Sequence, residues 1–181
     1  MTKNKNLLLY FLIFVYLFTG IYLSLTTGIT SDESFEQMNW DENISGIKSL
    51  LNNGHYNEFL MYLDKYHGIA FHYLSQPIQL LTSNFVSNLN KVSDFGGHLM
   101  SKHSVVFFLF FISGIFFYKL INKVSKDFVF SLLATSTYLI YPYLFGHSLF
   151  NMKDIPFLSI WLITSYYLLI LIEDIYFEKK I

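Results

Sequence analysis

Long runs of apolar residues dominate the pattern along this chain. Four of them have the roughly 17–25 residues that a helix needs to cross the hydrocarbon core of a bilayer, and they cover residues 7–25, 105–121, 128–145 and 155–172. Their one charged residue is Lys119, near the end of the second run, where a lysine can extend towards the headgroups. Pro142 predicts a kink or a stop near the end of the third run. The pattern predicts an all-α membrane protein with four transmembrane helices.

Residues 26–104, between the first two runs, do not resemble a flexible linker. Apolar residues recur at helical spacing in 47–63 and again in 69–85, which predicts short amphipathic helices. Breaks are expected at residues 52–54 and at Pro77, because Asn, Gly and Pro interrupt helices. Such helices either lie in the membrane interface or cap the bundle. We expect residues 1–181 to form a single membrane module with a partly helical external loop.

The composition excludes several classes of protein. Hydrophobic residues make up 53% of the chain and charged residues 14%, whereas soluble domains average about 25% charged residues. The 12 basic and 13 acidic residues nearly balance, so no basic field predicts a nucleic-acid partner. All the basic residues are Lys, so bidentate binding of a phosphate or carboxylate by Arg is excluded. The absence of Cys excludes disulfides and thiolate zinc sites.

The distribution of Lys predicts an orientation. Cytoplasmic segments of membrane proteins carry an excess of Lys. If all four runs cross the membrane, three groups of Lys fall on the same side of it: Lys3 and Lys5; Lys119, Lys123 and Lys126; Lys179 and Lys180. Both termini are therefore predicted to be cytoplasmic, in an inner or plasma membrane. The loop 26–104 and the hairpin 146–154 are predicted to be external, which is periplasmic in a bacterial cell. A cleaved signal peptide is disfavoured, because the first run is longer than a usual signal-peptide core and no small-residue cleavage site follows it.

Two acids follow the first run closely, in Thr30-Ser31-Asp32-Glu33-Ser34. A pair of carboxylates at a membrane surface can act as a general base and as a hydrogen-bond acceptor. The alternative is structural, because Thr30 and Glu33 have the spacing of a capping box and acids stabilise a helix N-terminus. The residues leave both interpretations open, with the structural one favoured.

The hairpin between the third and fourth runs is unusually polar for so apolar a chain. It reads Gly146-His147-Ser148-Leu149-Phe150-Asn151-Met152-Lys153-Asp154-Ile155-Pro156. Asp154 can ligate a divalent cation whose other ligands are water and substrate phosphate, and Lys153 can pair with phosphate. The alternative is that Asp154 caps the fourth helix, with Pro156 in its first turn. Ligation and capping are compatible, and the two are weighed evenly.

Lys102 and His103 precede the second run and have two possible roles. They either contact a lipid phosphate or anchor a helix end at the interface, and the anchor is favoured. The other histidines lack a metal-binding spacing, and most of them are expected to be solvated or packing residues: His55, His67, His72 and His98.

The order of these motifs resembles the N-terminal part of a GT-C membrane glycosyltransferase. That group includes protein O-mannosyltransferases, the lipid A aminoarabinose transferase and RgtA/B/C/D-like bacterial proteins. The hairpin resembles the P-x-x-x-G-H-x-x-x-N-x-K-D-I-P-F pattern of predicted bacterial members, and Lys102-His103 resembles the preceding Arg-His. Asp32-Glu33 corresponds to the acidic pair in their first external loop, and residues 66–71 resemble the Tyr-x-Gly-x-x-Phe segment after it.

This resemblance implies an inverting transfer from a polyprenyl-phosphate-sugar donor to a lipid, glycan or protein acceptor. Asp32 would be the general base and Glu33 would orient the acceptor or support the base. Lys102, His103, His147 and Lys153 would contact substrate or phosphate, and Asp154 would help to bind Mg²⁺ or Mn²⁺. Asp32 and Asp154 would then face one cavity, with their carboxylates roughly 6–12 Å apart, as in other paired-carboxylate sites.

The length of the chain adds an alternative. GT-C enzymes have many more spans, so the resemblance predicts a fragment of a longer enzyme. The alternative is a non-catalytic membrane subunit or assembly factor that retains the first module of the family.

Overall fold

A computed structural model describes residues 3–55 and 57–177, and this part of the chain is helical without a β-strand. Lys179 and Lys180, which contributed to the predicted orientation, lie outside the described residues. The helices within the described ranges are α1 (Lys3–Thr26), α2 (Glu33–Asn53), α3 (Asn57–Met61), α4 (Ala70–Asn90), α5 (Asp94–Met100), α6 (His103–Ser125), α7 (Phe128–Ile140), α8 (Pro142–Ser148) and α9 (Asp154–Phe177).

The chain divides into two compact units. The first, called the span unit, comprises Met1–Thr27 and His103–Ile181, and the second, the loop unit, comprises Gly28–Lys102. The loop unit matches the predicted external segment to within two residues at each end.

Among the described residues, three helical segments are long and apolar enough to cross a membrane: Leu7–Thr26, Asp94–Ser125 and Asp154–Tyr176. A fourth span results if α7 and α8, which are bent by 58°, count as one. The prediction of an all-α chain with apolar spans is thus confirmed. Its orientation, and the membrane in which it lies, stay predictions.

The bend between α7 and α8 lies where Pro142 predicted a kink or a stop. α7 ends at Ile140 and α8 begins at Pro142, because proline cannot donate the backbone hydrogen bond that would continue the helix. The Tyr16 hydroxyl of α1 donates to the Leu139 carbonyl at 2.8 Å. This contact satisfies a carbonyl beside the break, which a lipid environment requires.

Within the span unit, α6 packs against α1, α7 and α9. Two glycines allow this close approach: a Cβ on Gly20 would overlap the Phe107 ring, and one on Gly114 would lie 2.6 Å from Leu139. Small residues at helix crossings are characteristic of packing in membranes. Aromatic rings fill the rest, as where Tyr138 lies 5.1 Å from Phe110, centroid to centroid.

In the loop unit, one predicted break is confirmed and the other is wrong. α2 ends at Asn53, and Gly54 adopts the left-handed conformation (φ 71°) that terminates it. By contrast, α4 continues through Pro77. The proline lies on the exposed side of α4, and α5 packs along this helix. That packing outweighs the loss of one backbone hydrogen bond.

Candidate functional site

The two acids of the Asp32-Glu33 pair have different environments. The buried Glu33 accepts hydrogen bonds through Oε1 from the Thr30 backbone N–H at 2.8 Å and from the Thr30 hydroxyl at 3.0 Å. This is the structural role that the capping-box spacing predicted. Asp32 is exposed, and its Oδ1 lies 3.3 Å from the Ser31 hydroxyl. Only Asp32 presents its carboxylate at the surface.

The polar hairpin of the span unit is organised by Asn151. Its Oδ1 accepts from the backbone N–H groups of Lys153 at 3.0 Å and Asp154 at 2.8 Å. Its Nδ2 donates to Asp154 Oδ2 at 3.0 Å and to His147 Nδ1 at 3.2 Å. The fourth helix is therefore capped by Asn151 and not, as predicted, by Asp154. The capping oxygen belongs to Asn151, and Asp154 is the first residue of α9.

The Asn151 contact also determines the tautomer of His147. An amide nitrogen only donates, so Nδ1 is the acceptor and the proton of the neutral ring lies on Nε2. The ring lies near two aromatic rings, with centroids 4.3 Å away at Tyr143 and 5.5 Å away at Phe150. Through Asn151, the structure thus brings two predicted site residues, His147 and Asp154, into one contact group. The exposed Lys153 lies next to Asp154.

The predicted cation at Asp154 has a sparse set of ligands. Within residues 3–55 and 57–177, no group of three or more His, Asp or Glu side chains is arranged to hold a metal ion. The hairpin offers one acidic ligand, so water and substrate phosphate would supply most of a Mg²⁺ or Mn²⁺ shell. The cation stays a prediction.

Lys102 and His103 are both fully buried. The Lys102 ammonium donates to Gln37 Oε1 and to His72 Nδ1, each at 2.7 Å, and His103 Nδ1 lies 3.1 Å from the Ser24 carbonyl oxygen. A helix anchor must reach the interface, so the favoured interpretation of these residues as anchors is wrong. Their contact with a lipid phosphate stays a prediction, and it would require Lys102 to leave its two partners.

Lys102 belongs to a buried polar network in the loop unit that the sequence did not predict. The Glu36 carboxylate lies 3.1 and 3.2 Å from His67 Nε2 and 3.9 Å from His72 Nε2. Gln37 Oε1, which accepts from Lys102, also accepts from Gln79 Nε2 at 3.2 Å. The same Gln79 nitrogen donates to the backbone carbonyl of His98 at 2.7 Å. We call Glu36, Gln37, His67, His72, Gln79 and Lys102 the polar network.

His72 lies between opposite charges in this network. Its Nδ1 must accept, because it faces the Lys102 ammonium, so the proton of the neutral ring lies on Nε2 and points towards Glu36. Burial lowers the pKa of His72, and the Lys102 charge acts in the same direction while Glu36 opposes it. Burial and the Lys102 charge therefore both favour the neutral form of His72.

The sequence carried a signal for this network in the spacing of its polar residues. Glu33, Glu36, Gln37 and Trp40 of α2 are spaced i, i+3, i+4, i+7, as core residues of a helix are, and all four are buried. On α4, His72, Ser75 and Gln79 follow the same rule. A periodicity search restricted to apolar residues does not detect such a stripe. His72 is a packing residue, as expected, because it is buried and stacks on the Trp40 ring. The contacts that His67 and His72 both make with Glu36 were not predicted.

Comparisons with known proteins add no relative. No protein-family model, curated protein or solved structure matches the chain. Asp32 lies in the loop unit and Asp154 in the span unit, so the predicted separation of their carboxylates stays a prediction.

Proposed function

We propose that the chain is a membrane module of an inverting, GT-C-type glycosyltransferase that uses a polyprenyl-phosphate-sugar donor. The observation that supports this most is the Asn151 contact group. It joins His147 and Asp154, two residues of the motif on which the resemblance rests, immediately before an apolar helix long enough to cross a bilayer. A donor that is carried by a membrane lipid is expected to bind at the end of a membrane-spanning helix.

In the proposed reaction, an acceptor hydroxyl oxygen attacks the anomeric carbon of the sugar. The bond from that carbon to the phosphate oxygen breaks, and polyprenyl phosphate leaves with the electron pair. Asp32 takes the proton of the hydroxyl. Its exposure suits this role, and the hydrogen bonds from Thr30 to Glu33 support the base by fixing the backbone beside it.

The donor phosphate is assigned to the hairpin. His147 offers its Nε2–H and Lys153 offers its ammonium, and both groups stabilise negative charge on a departing phosphate. Asp154 would hold a divalent cation, which would neutralise part of that charge. Lys102 and His103 are given no phosphate contact in this proposal, because both are buried.

The test uses the chain purified into lipid nanodiscs and two probes. A photoreactive polyprenyl phosphate measures binding of the leaving group, and radiolabelled polyprenyl-phosphate-mannose and -glucose measure transfer to host membrane extracts. We expect Asp32→Asn to abolish transfer and leave cross-linking unchanged, because the base is not needed for binding. His147→Ala with Lys153→Ala should reduce cross-linking at least tenfold. Asp64→Asn, a change of an exposed acid of the loop unit, serves as the matched control for Asp32.

Two outcomes would contradict the proposal. An absence of cross-linking in the unmodified chain would show that the chain does not bind the donor phosphate. Specific cross-linking with no transfer at all would favour the alternative, a non-catalytic subunit that retains the lipid-phosphate site.

A further inference from the structure

Helix α4 has an inverted distribution of polar and apolar residues. The side that is buried within the loop unit carries His72, Ser75 and Gln79. The opposite side carries an exposed apolar stripe: Leu74 (53% exposed), Ile78 (39%), Leu81 (81%), Phe85 (61%) and Leu89 (41%). These five residues follow the i, i+4, i+7, i+11, i+15 spacing of one helix face, and we call them the α4 stripe.

A continuous apolar face of this kind is not stable in water. Exposed apolar residues scattered singly are normal, whereas a contiguous patch marks a surface that meets a partner or a membrane. The interior of the loop unit holds the polar network together with a few apolar residues, such as Trp40, Val86 and Leu99, and the stripe lies outside this interior. The stripe is therefore expected to contact an apolar environment outside the loop unit rather than water.

Two features identify that environment as lipid. First, the 21 residues of α4 include no charged residue, and the exposed residues beside the stripe, Asn84 and Asn88, are uncharged amides suited to the headgroup level. Second, the loop unit is tied to candidate spans at both ends. Residues 27–32 alone separate α1 from α2, and residues 101–102 alone separate α5 from α6. The unit thus remains beside the bilayer.

We propose that the α4 stripe is a lipid-contact surface, with its apolar side chains inserted among the acyl chains below the headgroups. The stripe lies in the interface in this proposal and does not cross the bilayer. α4 is not among the described helices that are long and apolar enough to cross a membrane, and its other face buries polar groups. This proposal is independent of the glycosyltransferase proposal, since it uses none of the residues assigned to donor or acceptor.

The chain contains no cysteine, which allows a direct test with single-cysteine variants. Leu81→Cys and Phe85→Cys place an environment-sensitive fluorophore on the stripe. Asn84→Cys places it on the same helix, roughly 100° around the axis from Phe85, and Glu42→Cys places it on an exposed site of α2. Each labelled protein is reconstituted into phosphatidylcholine–phosphatidylglycerol vesicles, with and without nitroxide-labelled acyl chains. Each variant is used once its circular dichroism matches that of the unlabelled protein.

We expect the probes at 81 and 85 to show blue-shifted emission, at least twofold quenching by nitroxide lipids and little quenching by aqueous iodide. The probe at 42 should show the reverse, and the probe at 84 should fall between them. Probes at 81 and 85 that behave like the probe at 42 would overturn the proposal. Blue-shifted emission without nitroxide quenching would overturn it too. Loss of the shift on dilution with lipid would then identify a second copy as the occupant, and its persistence would identify a protein contact within the chain.

Discussion

The span unit and the loop unit differ in the large polar side chains that they bury. The span unit buries aromatic and very small residues, such as Phe107, Phe110 and Gly114. The loop unit buries acids, amides and a lysine, among them Glu33, Gln79 and Lys102. Both units expose apolar residues on the outside. A membrane-associated chain can therefore hold one part together by steric fit and another by hydrogen bonds.

The physical reason lies in the surroundings. Between lipid-facing helices the hydrophobic effect gives no net attraction, so close packing must hold them together. In the loop unit, a buried polar group costs free energy unless it is hydrogen-bonded, so the network holds the unit in one arrangement. Four changes test this difference.

The largest effect is expected for Lys102→Met. Removing one partner of a buried ionic network costs about 3–5 kcal/mol, and here Glu36 would lose its buried countercharge while Gln37 and His72 would each lose a donor. Hydrogen exchange measured by mass spectrometry should show lost protection in α2 and α4 and retained protection in α6. Lys48→Met, at an exposed position, is the control. Equal effects of the two changes would contradict a polar interior.

A smaller effect is expected for Gly20→Ala in the span unit. The new methyl group would collide with the buried Phe107 ring, and overpacking costs about 1–3 kcal/mol. Protection should fall in α1 and α6 and remain unchanged in α4. Gly146→Ala is the matched control, because a Cβ there meets nothing within 4 Å. If both glycines tolerate alanine equally, steric fit does not hold the span unit together.

The polar network should also make the loop unit sensitive to pH. Because the pKa of folded His72 lies below its ordinary value of 6.5, the unfolded state takes up a proton that the folded state does not. Stability should therefore fall as the pH drops from 7 towards 5, by at most about 1.4 kcal/mol per pH unit for this group. His72→Gln should flatten the dependence, as followed by urea unfolding of the loop unit. An unchanged slope would place the titrating group elsewhere.

The smallest effect is expected for Asn151→Ala, which removes the capping oxygen of α9. The loss of such a cap costs about 1 kcal/mol. Asn151→Ser keeps a neutral capping oxygen for the Lys153 and Asp154 N–H groups and should retain most of the stability, while losing the donors to His147 and Asp154. Thermal unfolding in detergent distinguishes the three proteins. Alanine and serine variants of equal stability would mean that capping is not the role of Asn151.

The sequence predicted the spans because their length and apolarity are local properties. The predictions made from the two prolines had different outcomes. Pro142 ends α7 as predicted, whereas Pro77 does not end α4, because packing on α5 outweighs the local preference. Such packing is a tertiary property that no local pattern contains.

The candidate site was predicted in part, for a similar reason. Asn151 contacts residues three and four positions away, so the hairpin motif was visible in the sequence. Lys102 contacts Gln37 and His72, which are 65 and 30 residues distant. A lysine at the start of an apolar run is ordinarily exposed, and only the folded loop unit provides the acceptors that bury it.

Acetylation of lysines in the native protein tests the polar interior of the loop unit most directly. Lys102 is fully buried, whereas Lys48 and Lys91 are exposed. Peptide mass spectrometry after treatment with an acetylating reagent should find Lys102 unmodified when Lys48 and Lys91 have reacted completely. All three should react after denaturation. Acetylation of Lys102 in the native protein at the rate of Lys48 would contradict the polar interior.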